Sequence, residues 1–394
     1  MRLRRVLAAC TGVLLLAARE APSSMRVRLE RRHGSSQAEA SGVESRRLRQ
    51  VRFSISSVPL FEIGGLEESG ATELSTNFAR VSAAFLPSGG IAIGDVTRVL
   101  FVDARGGITG TTGRAGGGPG EYREIAALCA THNDTIAVAD AGQRRITILA
   151  VPGRVVRSFQ HEINHALSAH GCFADGRVLT VRYQDLSNRT SRMIPVELDL
   201  SGRATREWAP IESAQIADVI TQPRVSLVTD GRTVYFADGL RSEVQVLNRR
   251  GDQVRRIVTG TPLSPVTNDE RTKALDRTIP RNVTGAARDA IIARELRREA
   301  RPTWPTMGRL LPDRSGRLWI QRYRKASERG PFSADEWLAV DSTGRAIGRL
   351  ALPASVLRDR PASELLDVLG DRVLLKRVDD NGAVRVAVHR LLTR

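Results

Sequence analysis

Short apolar runs of β-formers, each closed by an aspartate, recur along the chain. They read Ile-Ala-Ile-Gly-Asp at 91–95, Ile-Ala-Val-Ala-Asp at 136–140, a longer run at 178–185, and Val-Tyr-Phe-Ala-Asp at 234–238. Asp95, Asp140, Asp185 and Asp238 therefore stand 45, 45 and 53 residues apart, and after three of them an arginine and a second strand-like run follow. A period of this length predicts one small β unit copied around an axis, and it suits a four-stranded propeller blade better than a β-helix rung. The body parses into six such units, at about 78–110, 122–160, 164–208, 222–260, 306–350 and 355–393. Glycine-containing turns such as Asp175-Gly176, Ser201-Gly202, Asp230-Gly231 and Arg250-Gly251 bracket the apolar runs, as four antiparallel strands per unit require. The expected fold is all-β: a six-bladed β-propeller over 51–394, in which a strand-like stretch at 51–63 pairs with the last blade and removes the open edges.

One segment breaks the β pattern. Residues 261–302 carry two helical stretches, 267–278 and 286–300, between the fourth and fifth units. Asn268 with Arg271 makes a poor capping box, but Asp269 and Glu270 favour a helix start. Ile292, Leu296 and Ala300 share one face of the second helix, Pro302 ends it, and Arg294, Arg297, Arg298 and Arg301 lie opposite. The insertion reads as a packed embellishment, with a lid or docking surface as the alternative.

Val138-Ala-Asp140-Ala-Gly-Gln-Arg-Arg-Ile-Thr-Ile-Leu149 resembles the strand–Asp–turn–Arg–strand core of an NHL-type repeat. The Gly-rich linker at 113–122, the insertion followed by Trp304-Pro305 and Gly316-Arg-Leu-Trp319-Ile, and the ending Asp379-Asp-Asn-Gly-Ala-Val-Arg-Val are similar to a family of bacterial exported six-bladed propellers. The resemblance covers roughly residues 50–394 and departs most in the third and sixth units. It implies the fold and the export, and no single activity.

Composition changes the picture in two places. The net charge of +17 suggests nucleic acid, but only Lys273, Lys325 and Lys376 among the 60 basic residues are lysine, and aromatics make up 4%. Residues 1–52 hold 12 of the basic residues and 4 of the 43 acidic ones, which leaves +9 on the rest. An Arg-biased, solvated surface with no nucleic-acid partner is the reading. At the N-terminus, Arg2, Arg4 and Arg5 precede a 13-residue apolar run at 6–18, the pattern of a secretory leader (1–22), and Leu7-Ala-Ala-Cys10 resembles a lipid-attachment motif. Residues 23–50 read as a disordered tether. Contact with a membrane is expected only through that leader. Cys129 and Cys172 fall at similar places in successive units, and equivalent strands of neighbouring blades are usually too far apart for a disulfide, so two buried thiols are expected.

The recurring aspartates Asp95, Asp140 and Asp238 read as structural, accepting hydrogen bonds from the backbone N–H groups that follow and pairing with the nearby arginine. His161-Glu-Ile-Asn-His165 matches the H-E-x-x-H zinc motif, with His170 as a conceivable third ligand. It lies in a connector between strands, where the helical geometry of that chemistry is lacking, so no metal is assigned. The Gly-rich loop at 113–120 lacks the Gly-Lys-Ser/Thr ending of a phosphate loop and reads as a flexible crossing between blades. Trp304, Arg322 and Tyr323, near the insertion and a strand end, with Arg297 and Arg298 on the second helix, are the candidate binding residues. No catalytic residue and no cofactor is assigned. The expected function is a monomeric, non-enzymatic propeller of the envelope or exterior that binds a protein, peptide or glycan. The alternative is a divalent-metal-dependent, lactonase-like hydrolase or lyase with its site in the central channel.

Overall fold

The computed structural model describes residues 51–65, 72–131, 134–160, 171–186, 190–214, 225–239, 241–280, 282–298, 302–325, 335–352, 356–357, 360–361, 363–379 and 381–393. The chain opens with β1 (Val51–Ile55) and β2 (Phe61–Gly64). Four separate antiparallel sheets follow, their strands in chain order. The first holds β3 (Val81–Phe85), β4 (Ile91–Asp95), β5 (Arg98–Val102) and β6 (Ile108–Thr112). The second holds β7 (Ile125–Ala130), β8 (Thr135–Asp140), β9 (Arg145–Ala150) and β10 (Arg154–Gln160). The third holds β11 (Gly171–Cys172), β12 (Val178–Leu186), β13 (Thr190–Leu198) and β14 (Ala204–Glu207), with β15 (Ile211–Ala214) also on β13. The fourth holds β16 (Ser226–Thr229), β17 (Val234–Ala237), β18 (Glu243–Leu247) and β19 (Gln253–Val258).

Helices α1 (Asn268–Thr278) and α2 (Gly285–Leu296) come next, as the sequence predicts. Then follow β20 (Met307–Pro312), β21 (Leu318–Arg322), β22 (Asp335–Val340), β23 (Ala346–Leu352), the two-residue pair β24 (Val356–Leu357) and β25 (Arg360–Pro361), β26 (Ser363–Leu369), β27 (Arg372–Val378) and β28 (Val384–Thr393).

The fifth and sixth sequence units are not separate sheets. They share one nine-stranded sheet ordered β20-β21-β22-β23-β1-β28-β27-β26, with β2 also on β28. The cause is β1, which runs parallel to β23 and antiparallel to β28 and so joins the two units. The stretch at 51–63 thus pairs with the last unit as expected, through Phe61↔Val388 and Ile55↔Leu391, and with the fifth unit as well.

First strands pack on one another in a cycle: β3 on β7, β7 on β11, β11 on β16, β16 on β20, β20 on β26, and β26 on β3. Between successive units lie apolar clusters such as Phe101, Ile125 and Leu149, or Phe173, Trp208 and Phe236. This explains the composition of each strand. β4 and β8 are covered on both faces and are buried almost throughout, whereas the outer strands β6, β14 and β19 are largely exposed and rich in Thr, Arg and Glu.

Cys129 and Cys172 form a disulfide, which corrects the expectation of two thiols. The two residues sit on β7 and β11, and first strands converge toward the ring axis, bringing their Cα atoms to 5.6 Å, well within bonding reach.

Candidate binding site beside the helical insertion

In the first two units the second strand ends opposite the start of the first. Asp95 pairs in register with Val81, and Asp140 with Ile125. At this end the incoming connector arrives, and the aspartates hold it. Asp140 accepts from the N–H groups of Arg123 (2.9 Å) and Glu124 (3.1 Å) in the connector and from Gln143 (3.1 Å) beyond it. Asp95 accepts from Ser75 N (3.0 Å) and from the Arg98 guanidinium (3.0 Å). Asp238 follows the predicted pattern, accepting from Arg241 N at 3.1 Å. The aspartates are structural, but Asp95 and Asp140 bind backwards to the connector as well as forwards. Asp185 lies within β12, paired in register with Ser191.

The Gly-rich linker is strapped down, not a loose crossing. Gln143 donates to Gly116 O (2.9 Å), Arg145 donates to Gly117 O (2.9 Å), and the Glu121 carboxylate accepts from Gly118 N (2.8 Å) and Arg114 (2.8 Å). The backbone donors that could cradle an anion already hold Glu121, whose carboxyl they and Arg114 keep below its ordinary range.

In the fifth unit the register position of the aspartates is taken by Arg322, opposite Met307. The connector entering here is the insertion. Its α1 begins with a capping box that the Asn268–Arg271 reading missed: Thr267 Oγ1 accepts from Glu270 N, and the Glu270 carboxylate accepts from Thr267 N. Glu270 also accepts from the Trp304 indole N–H (2.9 Å) and from Lys325 (2.7 Å), which in turn reaches Ser264 Oγ (2.8 Å). Burial works to raise the Glu270 carboxyl, but Lys325 and Trp304 outweigh it and hold the group below its usual range. Arg271, buried at 3% exposure, donates to the carbonyls of Glu295 (2.8 Å), Leu296 (3.1 Å) and Arg298 (3.1 Å), closing the C-terminal end of α2. Ala274, Leu275, Ile279 and Trp304 are buried together, with Ile291, Ile292, Leu296 and Tyr323 against them.

Two hollows of about 50 Å³ each flank Arg322 where the insertion meets β21. One is walled by Thr259, Thr261 and Thr306 over Met307, Ile320 and Trp337, with Glu336 and Arg349 at its rim. The other is walled by Thr261, Ser264, Thr306, Lys325 and Tyr323, with Trp304 behind. Of the candidate residues, Trp304, Arg322 and Tyr323 are therefore brought together. Trp304 is 1% exposed and serves as the back wall, its ring tilted 30° to that of Tyr323 at 6.4 Å. Arg322 is exposed and stands 3.6 Å from Glu336. Arg297 and Arg298 line neither hollow; they sit past the end of α2, where Arg298 pairs with Glu295 at 2.9 Å. Lys325, Thr259, Thr261 and Thr306 were missed by the sequence reading. The rarity of lysine in this chain was the available signal for Lys325, whereas the threonines carried none.

Elsewhere, charged groups join neighbouring units. Glu197, 1% exposed, is held by Arg177 (2.6 Å) from its own sheet and Arg249 (2.9 Å) from the next. Lys376 pairs with Glu364 (2.8 Å) and donates to Val81 O (2.8 Å), and Arg309 pairs with the same Glu364. Asp367 accepts from Phe85 N at 2.8 Å, and burial pushes its carboxyl up to about 6 despite that bond and nearby Arg314. Among the described residues no three His, Cys, Asp or Glu side chains gather as a metal site. His161, His165 and His170 lie outside the described residues.

No protein-family model matches the sequence, and no curated protein does. Solved structures do resemble it in fold. A member of the DUF4221 family from Bacteroides vulgatus aligns over 88% of this chain and 99% of its own, with a TM-score of 0.50 at 9% identity. A putative exported protein from Bacteroides fragilis covers 86% and 95% at a TM-score of 0.47 and 11% identity. Virginiamycin B lyase from Staphylococcus aureus covers 85% and 88% at 0.36 and 10%. The protein is an all-β, propeller-like chain of four-stranded antiparallel units with two described helices. No described helix is long and apolar enough to cross a membrane.

Proposed function

We propose that this is a six-bladed, NHL-type propeller of the bacterial envelope or exterior that binds a protein, peptide or glycan without catalysing a reaction. In this count β20–β23 form one blade and β26–β28 with β2 another, a reading supported by the cyclic packing of six first strands. The Asp95–Arg98 and Asp238–Arg241 pairs suit NHL-type repeats. Export fits the basic, apolar N-terminal pattern and the Cys129–Cys172 bond, since disulfides persist in oxidising compartments.

One observation carries the binding reading. The insertion is locked to the ring through Glu270, Trp304 and Lys325, and at that join Arg322 and three threonines line preformed hollows. A rigid polar recess on a connector-bearing face is how scaffold folds present a ligand site. The test is a panel of peptides and glycans against the purified protein, with elemental mass spectrometry of the same sample. Saturable binding abolished by Arg322→Ala supports the proposal. About one zinc or calcium ion per chain surviving dialysis would overturn it in favour of a metal-dependent enzyme.

A further inference from the structure

One hairpin turn gathers arginines without offering them an acid. The turn Leu86-Pro-Ser-Gly-Gly90 joins β3 to β4 at the end of β3 away from its connector, where Phe85 pairs with Ile91. Arg314, from the turn after β20, donates to Phe85 O at 3.1 Å. Arg372, at the start of β27, donates to Gly89 O at 2.8 Å and stands 5.7 Å over the Phe85 ring. Gly89 has a φ of +86°, and a Cβ there would strike the Arg372 guanidinium, so that group lies directly against the turn. Among the described residues neither arginine forms an ion pair or a second hydrogen bond.

The third unit shows what is missing. Its turn closes in the same way: Phe173 N bonds to Arg177 O and Gly176 N to Phe173 O, as Leu86 N bonds to Gly90 O and Gly89 N to Leu86 O. Matching these bonds sets Asp175 at the position of Ser88. Asp175 takes Arg249 of the next unit at 2.8 Å, and that guanidinium stands 4.6 Å over the Phe173 ring. In the first unit an arginine from a neighbour again covers a phenylalanine, but an exposed serine holds the carboxylate's place. Solvent reaches Arg314, yet burial lowers its pKa, as for a charge set in a recess and not on a convex surface. Asp367 offsets this only through space, because its oxygens accept from Phe85 N (2.8 Å) and Val368 N (2.8 Å).

We propose that this turn binds a tetrahedral oxyanion, a phosphate or sulfate group, through Arg314 and Arg372, with the Ser88 hydroxyl as a third donor. Guanidinium N–H groups match such oxygens in length and direction. Two guanidinium groups arriving from separate units suit an anion whose oxygens point several ways better than a planar carboxylate. Each guanidinium commits one N–H to a carbonyl and keeps its other donors. The site does not rest on the binding reading above. It lies at the other end of the first strands, since β20 meets Arg322 at Met307 and leads to Arg314 past Pro312.

The probe is inorganic phosphate, followed by phosphorus NMR line broadening on the intact protein at low ionic strength, with sulfate as competitor. Arg314→Gln and Arg372→Gln are compared with Arg256→Gln, which removes the same charge from the exposed outer strand β19. Ser88→Asp gives the first unit the carboxylate of the third. The expected result is saturable broadening that sulfate reverses and chloride at the same ionic strength does not. Affinity should fall about tenfold in Arg314→Gln and in Arg372→Gln, the scale of one lost charge-assisted hydrogen bond. It should vanish in Ser88→Asp and stay unmoved in Arg256→Gln. No saturable broadening, or equal weakening in Arg256→Gln, overturns the inference. So does a Ser88→Asp protein that binds phosphate as the wild type does. That change falls at an exposed turn position, so it decides the matter even where near-ultraviolet circular dichroism shows an arginine variant misfolded. Glycerol phosphate separates the sources: binding assigns the site to a phosphate group carried on a larger ligand, and no binding assigns it to the free ion.

Discussion

Lys325 sets its ammonium 2.7 Å from the Glu270 carboxylate and 5.5 Å above the ring of Trp304, so one lysine joins a helix start to a strand end. Glu270→Ala removes the side-chain half of the capping box, strands the indole N–H of a buried tryptophan and leaves Lys325 without its carboxylate. A loss of about 1–3 kcal/mol is expected, chiefly from the orphaned buried donor. Urea denaturation measures it. A change below about 0.5 kcal/mol would mean that the insertion is not anchored here.

Glu197 gives an acid-side prediction. Its carboxyl is buried, which works to raise its pKa, yet Arg249 and Arg177 hold it below the ordinary value of 4.5. A depressed carboxylate contributes stability that is present above its unfolded pKa and lost as pH falls through the folded one. Below about pH 4.5 the wild type should lose stability progressively, and Glu197→Gln should flatten that slope. At pH 7 the same substitution should cost about 3 kcal/mol, because two arginines are left facing a neutral amide. Melting temperatures across pH 3–7 test both halves.

Asp367 should behave in the opposite sense. Its folded pKa of about 6 lies above the ordinary value of 3.8, so the folded state prefers the proton. Its contribution is then complete below about pH 3.8 and lost as pH rises through about 6. Asp367→Asn keeps an acceptor for Phe85 N and cannot ionise. It should gain stability at pH 7.5, by at most about 3 kcal/mol and by less where water reaches the half-buried side chain, with no gain at pH 4. Equal effects at the two pH values would show that Asp367 does not ionise differently on folding.

The Cys129–Cys172 bond spans 43 residues of sequence. On the chain-entropy account, closing a loop of that length in the unfolded state stabilises the fold by about 4 kcal/mol. Reduction, or paired serine substitution, should lower the urea midpoint accordingly. Thiol titration of protein denatured without reductant should find neither cysteine reactive, and two reactive thiols from these positions would refute the pairing.

Much of this was legible because period-2 runs and glycine turns report directly on strands and hairpins. The first four units, the two helices and the pairing of 51–63 with the last unit came from that signal, whereas the fifth and sixth units, read as separate blades, share one sheet. What escaped was set by tertiary convergence. The distance between Cys129 and Cys172 depends on how first strands crowd the axis, which no local pattern encodes. The parallel pairing of Val51 with Gly348 likewise joins elements nearly 300 residues apart. The Thr267–Glu270 cap was visible in sequence but hidden behind the neighbouring Asn268. The Arg322 recess could have been found by aligning Leu-Trp-Ile-Gln-Arg at 318–322 with Ile-Ala-Ile-Gly-Asp at 91–95, where the sign reversal is plain. Its threonine walls are drawn from the end of the fourth unit, the insertion and the start of the fifth, so no single repeat displays them.

Strand β1, wedged between β23 and β28, makes the order of assembly matter. Four sheets can form from neighbouring segments as the chain emerges. The fifth and sixth units cannot cover their edges until residues 51–55 find partners near residues 350 and 392. A chain halted partway through translation or export would display bare strand edges, the surface that templates aggregation. The same wedge makes completion of the chain a checkpoint, since only a molecule carrying both segments joins β23 to β28 through β1.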